Sequence, residues 1–130
     1  MDWKTCFTGK KILVAEDDPL GRELMRDILG LMNCSVQFAE DGNQVIEMYQ
    51  KEPFDLIFMD IRMPNKDGIS ATKEIRAAEK DGKRVPIIAL TASILDEDKK
   101  NCVKVGVDDF ISKPILLDEL RQKMAKYLVK

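Results

Sequence analysis

The sequence predicts an α/β fold in which a doubly wound, five-stranded parallel sheet carries helices on both faces. Short apolar runs alternate with longer amphipathic segments along the chain. Most of these runs are apolar throughout, which is typical of strands buried on both faces. Because parallel strands need crossover connections, and these are right-handed, the intervening helices are expected to cover both faces of one sheet.

Apolar runs mark the predicted strands. The second is the shortest signal, since only Val36 and Phe38 alternate there with other residues. In chain order the predicted strands are Ile12–Ala15, Ser35–Ala39, Phe54–Met59, Val85–Leu90 and Val107–Ile111.

Helical spacing of apolar residues fills the gaps between these runs. The first helix has the clearest start, because Asp18 is a good N-cap and Pro19 suits the first helical position. Its apolar positions are Leu20, Leu24, Ile28 and Leu31. The other helices are expected after Asp41-Gly42, from about Ile69 to a stop near Asp81-Gly82, from about Leu95 to a C-cap at Gly106, and over Leu117–Leu128.

Length and charge restrict the class of protein. The 130 residues fit one domain over residues 1–130, with a core from about residue 10 to residue 128. A net charge of −2 argues against direct nucleic-acid binding, which depends on a basic surface. With no histidine in the sequence, serine-triad chemistry and histidine general bases are excluded.

Cysteine content and hydropathy point to the compartment. Cys6, Cys34 and Cys102 are odd in number and lack C-x-x-C spacing, so they are expected to be reduced thiols. No apolar run approaches the ~18 residues of a membrane helix, and no signal sequence is recognisable. The chain is therefore expected to be cytoplasmic, without membrane insertion.

Polar side chains of suitable chemistry follow the predicted strands. Glu16 and Asp17 come directly after the first strand, and Asp60 after the third. Thr91 follows the fourth strand and Lys113 follows the fifth. In open parallel sheets, ligands bind beyond the carboxyl ends of the strands where the strand order reverses. With the order 2-1-3-4-5, strands one and three would be neighbours at that point, and these side chains would share one crevice.

This set of residues suggests phosphoryl chemistry. Carboxylates ~5 Å apart repel one another by roughly 3 kcal/mol per pair at an effective dielectric near 20, which a hard cation such as Mg²⁺ would offset. Asp60 is the candidate nucleophile, because carboxylates form aspartyl phosphates. Lys113 would pair with Asp60 and then with a phosphoryl oxygen, and Thr91 would donate a hydroxyl to the same group.

Four segments resemble the response-regulator receiver domain, the family of the bacterial chemotaxis regulator. They are ILVAEDD, FDLIFMDIRMPNKDG, PIIALTA and FISKPI, and the resemblance extends from about Lys10 to Leu128. It implies a flavodoxin-like three-layer fold and a signalling role rather than that of an enzyme, although such a domain contributes to its own phosphorylation and dephosphorylation. The expected partner is a histidine kinase or a histidine phosphotransfer protein that supplies a phosphohistidine.

The resemblance also implies roles for individual residues. Asp60 matches the phosphoaccepting aspartate, which either switches the domain or passes the phosphoryl group on in a phosphorelay. Glu16 and Asp17 match the acidic pair that coordinates Mg²⁺, and Arg62 matches the residue whose backbone carbonyl completes the metal site. The pair is Asp-Asp in many members, and Glu-Asp is frequent in receivers of hybrid histidine kinases. The Glu-Asp pair favours an origin in a hybrid histidine kinase, and a single-domain regulator stays the alternative. Asp18 is expected to cap the first helix.

Two further residues match positions of the family's conformational switch, and one peptide bond matches a cis bond of the family. Thr91 matches the switch hydroxyl, and Phe110 matches an aromatic switch position that is often tyrosine. Lys113 matches the invariant lysine, and the resemblance implies a cis peptide bond between Lys113 and Pro114. Because Phe110 has no hydroxyl, its movement would change packing only.

Leu20 lies next to the acidic residues, in the first turn of the first helix. It could pack on Leu24 in the core. Alternatively, Leu20 together with Pro114 and Ile115 could form an apolar docking point for a partner helix that presents the phosphohistidine.

Two other functions are possible on this fold, and each requires its own motif. A flavodoxin-like electron carrier would need a phosphate-binding loop after the first strand, where this chain has Glu16-Asp17-Asp18. A phosphatase of the haloacid-dehalogenase type would need Asp-x-Asp after a strand, and here the run is Asp60-Ile61-Arg62. Neither requirement is met.

Overall fold

The computed structural model describes residues 5–80, 82–92 and 96–129, with only the backbone at Asp96. All strands are parallel and form one sheet in the order β2-β1-β3-β4-β5. The predicted fold class is therefore confirmed. Strands and helices alternate as β1 Lys11–Ala15, α1 Pro19–Leu31, β2 Ser35–Ala39, α2 Gly42–Lys51, β3 Leu56–Asp60, α3 Gly68–Ala78, β4 Ile87–Thr91, α4 Asp96–Val105, β5 Asp109–Ser112 and α5 Leu117–Leu128.

Two core layers lie on opposite faces of the sheet. One joins the sheet to α2, α3 and α4, through residues such as Val45, Ile75 and Cys102. The other joins the sheet to α1 and α5, through residues such as Leu29 and Met124. Successive strand residues enter opposite layers, so burial on both faces explains why the runs are apolar throughout.

β2 begins at its predicted residue, Ser35, and the other four strands begin one or two residues away from their predicted positions. Aspartate side chains explain two of these shifts. Asp55 Oδ2 accepts the N–H of Lys11 at 2.7 Å, so the pairing of β1 with β3 begins at Leu56. Asp108 Oδ2 likewise accepts the N–H of Ile87 at 2.8 Å, and β5 begins only at Asp109. In both places a carboxylate takes the position of a backbone acceptor.

The helix ends follow the predicted capping residues. Asp18 Oδ1 accepts the N–H of Leu20 at 3.2 Å and caps α1 as predicted. Gly106 has φ +105°, and it ends α4 as predicted, with its N–H donated to Cys102 O. The predicted start of α4 at Leu95 lies outside the described residues.

Two other features are expected from the sequence: one cis peptide bond and the lack of a membrane-spanning helix. The cis peptide bond between Lys113 and Pro114 is present as the resemblance implied. Across the described ranges, none of the helices combines the length and apolar character needed to span a bilayer.

Candidate functional site

The candidate site lies at the carboxyl edge of the sheet, where β1 and β3 are neighbours. Glu16 and Asp17 follow β1, and Asp60 is the last residue of β3. Thr91 is the last residue of β4, and Lys113 follows β5. The strand order therefore brings the five predicted side chains to one edge of the sheet.

Three carboxylates form the centre of this site. One oxygen each of Glu16, Asp17 and Asp60 lies within 4.8 Å of the others. Glu16 is 3% exposed and Asp60 is 6% exposed, whereas Asp17 is open to solvent. Two of the three acids have thus lost most of their water, which makes compensation by a cation or a proton necessary.

A single ammonium group bridges the two buried acids. Lys113 Nζ donates to Asp60 Oδ2 at 2.9 Å and to Glu16 Oε1 at 2.7 Å. The backbone N–H of Lys113 donates to Thr91 O at 2.8 Å, which fixes the start of the side chain beside the end of β4. The sequence predicted the pairing with Asp60 but not the contact with Glu16.

The two buried acids have shifted pKa values in opposite directions. Burial, together with a hydrogen bond and the like charge of Asp60, raises the pKa of Glu16 to about 7 despite Lys113. Burial alone would raise the pKa of Asp60, but hydrogen bonds from Glu16, from the Arg62 N–H and from Lys113 lower it overall. Near pH 7, Asp60 is therefore ionised, while Glu16 keeps a share of its proton.

The donor set fits a hard divalent cation. Glu16 Oε2 is buried and receives no hydrogen bond from the described part of the chain. With the nearby oxygens of Asp17 and Asp60, it offers the all-oxygen surroundings that Mg²⁺ prefers. The role of the Arg62 carbonyl as a further ligand stays a prediction.

Arg62 itself connects the site to α4. Its N–H donates to Asp60 Oδ1 at 3.0 Å, and its guanidinium pairs with Asp98 Oδ2 at 2.9 Å. Sequence reasoning missed this pair, because Asp98 lies in a run of charged residues, a pattern typical of a solvated helix face. A link between residues 36 positions apart leaves no local signal in the sequence.

The loop after β3 is held by a second cluster that sequence reasoning missed. Asn65 Nδ2 donates to Asp41 Oδ2 at 2.9 Å, and the Gly42 N–H donates to Lys66 O at 2.8 Å. Hydrogen bonds from Asn65 and from the backbone of Gln44 lower the pKa of Asp41. Asn65 adopts the left-handed conformation, with φ +65°, which asparagine tolerates better than most residues.

The two predicted switch residues lie on neighbouring strands. Thr91 is buried at the end of β4, and Phe110 in β5 pairs in register with Ala89. The Phe110 ring is half-buried, and Lys99 Nζ of α4 lies 5.5 Å from its centroid. Their role as a switch stays a prediction.

The predicted docking residues have unequal exposure. Leu20 is 74% exposed and Leu24 is 45% exposed, so Leu20 does not pack into the core. Pro114 is exposed, and Ile115 is half-buried against the core layer of α1 and α5.

A parallel sheet of this order, with an acidic cluster and a lysine at its carboxyl edge, has the features that define a receiver domain. The sequence matches the family described as "Response regulator receiver domain" over residues 12–125. The chain belongs to this family, whose members are the receiver domains of two-component signal transduction. Membership also decides against the flavodoxin-like and phosphatase alternatives.

Similar proteins include histidine kinases. Sensor histidine kinase RcsC of Salmonella typhi is 37% identical over 116 residues, which cover 89% of this chain and 12% of that protein. Histidine protein kinase 1 of Candida albicans is 41% identical over 125 residues, which cover 89% of this chain and 5% of that protein. The chain thus corresponds to a small part of these relatives.

Similar solved structures include one receiver domain with a magnesium ion and one bound to a phosphotransfer protein. The receiver domain of sensor histidine kinase PA1611 from Pseudomonas aeruginosa PAO1, with a magnesium ion in its active-site cleft, has a TM-score of 0.86 and 37% identity, covering 95% of this chain and 100% of that chain. The receiver domain of Ssk1 from Saccharomyces cerevisiae, solved with the phosphotransfer protein Ypd1, has a TM-score of 0.85 and 27% identity, covering 94% of this chain and 90% of that chain.

Proposed function

We propose that this chain accepts a phosphoryl group on Asp60 from the phosphohistidine of a histidine kinase or a histidine phosphotransfer protein. A carboxylate oxygen of Asp60 attacks the phosphorus, and the bond from phosphorus to the histidine nitrogen breaks as the imidazole leaves. The observation that carries the proposal is the position of the Asp60 carboxylate, 2.9 Å from Lys113 Nζ within a cluster of acids that fits Mg²⁺.

The surrounding residues have separate roles. Glu16, Asp17, Asp60 and the backbone carbonyl of Arg62 would hold Mg²⁺, which when bound offsets negative charge on the phosphoryl oxygens. The ammonium of Lys113 pairs with Asp60 before transfer and with a phosphoryl oxygen after it.

After transfer, the hydroxyl of Thr91 donates to another phosphoryl oxygen. Phe110 then turns inward into the space that Thr91 leaves. Because the aspartyl phosphate differs from the free carboxylate in charge and size, it stabilises one of two conformations.

The named relatives support this assignment. The PA1611 receiver domain contains magnesium in its cleft, and the Ssk1 receiver domain binds a phosphotransfer protein. We place this receiver in the cytoplasm and, because RcsC and Histidine protein kinase 1 are histidine kinases, within a hybrid histidine kinase. Its part there is that of a signalling domain.

The test uses acetyl phosphate as a small phosphodonor. With Mg²⁺, the protein should gain the mass of one phosphoryl group in intact-mass analysis, and Asp60→Asn should gain none. Asp18→Asn is the matched control, since asparagine also caps a helix and Asp18 serves α1 rather than the site. Labelling of Asp60→Asn equal to that of the wild type would contradict the proposal, and so would loss of labelling in Asp18→Asn.

We place the docking point for the partner on three apolar residues beside the site, of which Leu20 and Pro114 are exposed and Ile115 is half-buried. Leu20 is in the first turn of α1, shortly after Glu16 and Asp17, and Pro114 and Ile115 directly follow Lys113 after β5. A helix that carries the phosphohistidine would cover Leu20, whose exposure is otherwise unfavourable.

The docking proposal is tested with Leu20→Ala and Ile115→Ala. Transfer from a phosphorylated histidine phosphotransfer protein should slow by about tenfold, equivalent to about 1.4 kcal/mol, while labelling by acetyl phosphate stays normal. Leu31→Ala removes an equally apolar side chain, 66% exposed, from the far end of the same helix and should change neither rate. Unchanged transfer in both docking variants would show that the partner binds elsewhere.

A further inference from the structure

A glycine of α1 lies directly against the longer acid of the site. Gly21 is in the first turn of the helix, five positions after Glu16. A Cβ atom on Gly21 would lie 2.5 Å from Glu16 Oε1, 3.0 Å from its Cγ and 3.1 Å from its Cδ. No residue with a side chain fits at position 21 while Glu16 keeps its observed position.

Glu16 has little freedom to move away. Glu16 is 3% exposed. Its Oε1, the atom nearest to the added Cβ, accepts a hydrogen bond from Lys113 Nζ at 2.7 Å. A methyl group at position 21 would therefore displace the same oxygen that Lys113 binds. The other carboxylate oxygen, Oε2, would turn with it, because both belong to one planar group.

We infer that Gly21 is a positioning residue for the site: its missing side chain lets the long Glu16 side chain place its carboxylate against Lys113 and toward the metal. The steric part of this inference depends only on the contacts of Gly21 and Glu16. The part that concerns Mg²⁺ rests on the proposed function. An aspartate at position 16, one methylene shorter, would withdraw the carboxylate from α1 and would not need glycine at position 21.

The test is a double-mutant cycle read by Mg²⁺ binding in isothermal titration calorimetry. Gly21→Ala should weaken Mg²⁺ binding by about 10- to 100-fold, as expected when a residue that orients a ligand is lost. In the Glu16→Asp background, the same Gly21→Ala change should weaken binding by less than about threefold, since non-additivity identifies coupled positions. Gly30→Ala, in the same helix with no atom within 4 Å of its added Cβ, should leave Mg²⁺ binding unchanged.

A second measurement uses no metal. Urea unfolding in EDTA compares the wild type, Gly21→Ala, Glu16→Asp and the double variant. The factor by which Gly21→Ala lowers the folding equilibrium constant should be about five times larger with glutamate than with aspartate at position 16. If the steric coupling is found but the wild type does not bind Mg²⁺, the inference on Gly21 holds and the proposed metal site is wrong. The inference would be overturned if Gly21→Ala changed the folding equilibrium constant equally in both backgrounds. It would also be overturned if the single variant Gly21→Ala bound Mg²⁺ with the same affinity as the wild type.

Discussion

At the scale of single residues, the site depends on how two buried carboxylates share one ammonium and one proton. Lys113 contacts both Glu16 and Asp60, and its pKa is raised because these two hydrogen bonds outweigh the effect of burial. Near pH 7 Glu16 keeps a share of its proton because its pKa is raised to about 7, whereas Asp60, whose pKa is lowered, is ionised and able to act as a nucleophile. In the metal-free protein this arrangement stores an electrostatic cost that a divalent cation would relieve.

That cost should appear in the pH dependence of stability. Between pH 4.5, the ordinary pKa of a glutamate, and about 7, its pKa here, Glu16 keeps its proton when folded and loses it when unfolded. The folded state then binds more protons, so this group makes the free energy of unfolding fall as the pH rises. Glu16→Gln in EDTA should lack this fall, which is on the order of 2 kcal/mol, in urea titrations across the same range.

The control for this measurement is an acid on the surface of α1. Glu23→Gln removes an exposed carboxyl and should keep the wild-type slope. If the free energy of unfolding falls equally with pH in the wild type and in Glu16→Gln, a group other than Glu16 causes the pH dependence.

At the scale of helices and strands, one arginine stabilises the edge of the sheet opposite the candidate site. Arg76 of α3 donates to Asp108 Oδ2 at 2.8 Å, to Val85 O at 2.8 Å and to Gly106 O at 3.0 Å. These bonds join α3 to the start of β4 and to the turn before β5. The side chain of Arg76 is 11% exposed, so its charge is almost fully removed from water.

Replacing this arginine should be costly for the fold. Arg76→Met leaves Asp108 and Glu79 without their buried partner, so we expect the free energy of unfolding to drop by about 3 kcal/mol. Arg84→Met is the matched control, because Arg84 also pairs with Asp108 but is 56% exposed, and its loss should cost less than about 1 kcal/mol. Urea denaturation measures both, and similar losses for the two variants would contradict a special role of Arg76.

Strands and helices were predictable because each left a local pattern. The buried strands are continuous apolar runs, and α1 begins at Asp18-Pro19 as the capping rules require. Strand starts were less predictable, because Asp55 and Asp108 replace backbone acceptors with side-chain oxygens from distant parts of the chain.

The same distinction holds for the site. The acids and the lysine could be predicted, because their positions at strand ends are visible in the sequence. The contact between Lys113 and Glu16 joins residues 97 positions apart, and the contact between Gly21 and Glu16 depends on a rotamer. Neither could be derived from spacing alone.

At the scale of the whole molecule, the sheet links the site to the face formed by α4, β5 and α5. Thr91 at the end of β4 pairs in register with Ser112, two residues after Phe110. The Phe110 ring lies beneath Lys99 of α4, so an inward turn of the ring would break a contact between β5 and α4. A shift that begins at Asp60 therefore has a short path to this face.

We expect this coupling to be visible by NMR with beryllofluoride, whose fluorines stand in for phosphoryl oxygens. In the wild type with Mg²⁺, resonances of Phe110 and Lys99 should shift along with those around Asp60. Thr91→Val, which keeps the shape of the side chain but removes the hydroxyl, should retain the shifts near Asp60 and lose most of those at Phe110 and Lys99. Shifts confined to the pocket in the wild type would contradict the coupling.

The central claim is that Asp60 is the phosphoacceptor, and reduction of the labelled protein with borohydride tests it most directly. Borohydride converts an aspartyl phosphate into homoserine, which tandem mass spectrometry of the digested protein assigns to one position. After labelling with acetyl phosphate and Mg²⁺, homoserine should be found at position 60 alone. Homoserine at position 17, or a phosphoryl group retained on a side chain that borohydride does not reduce, would contradict the account.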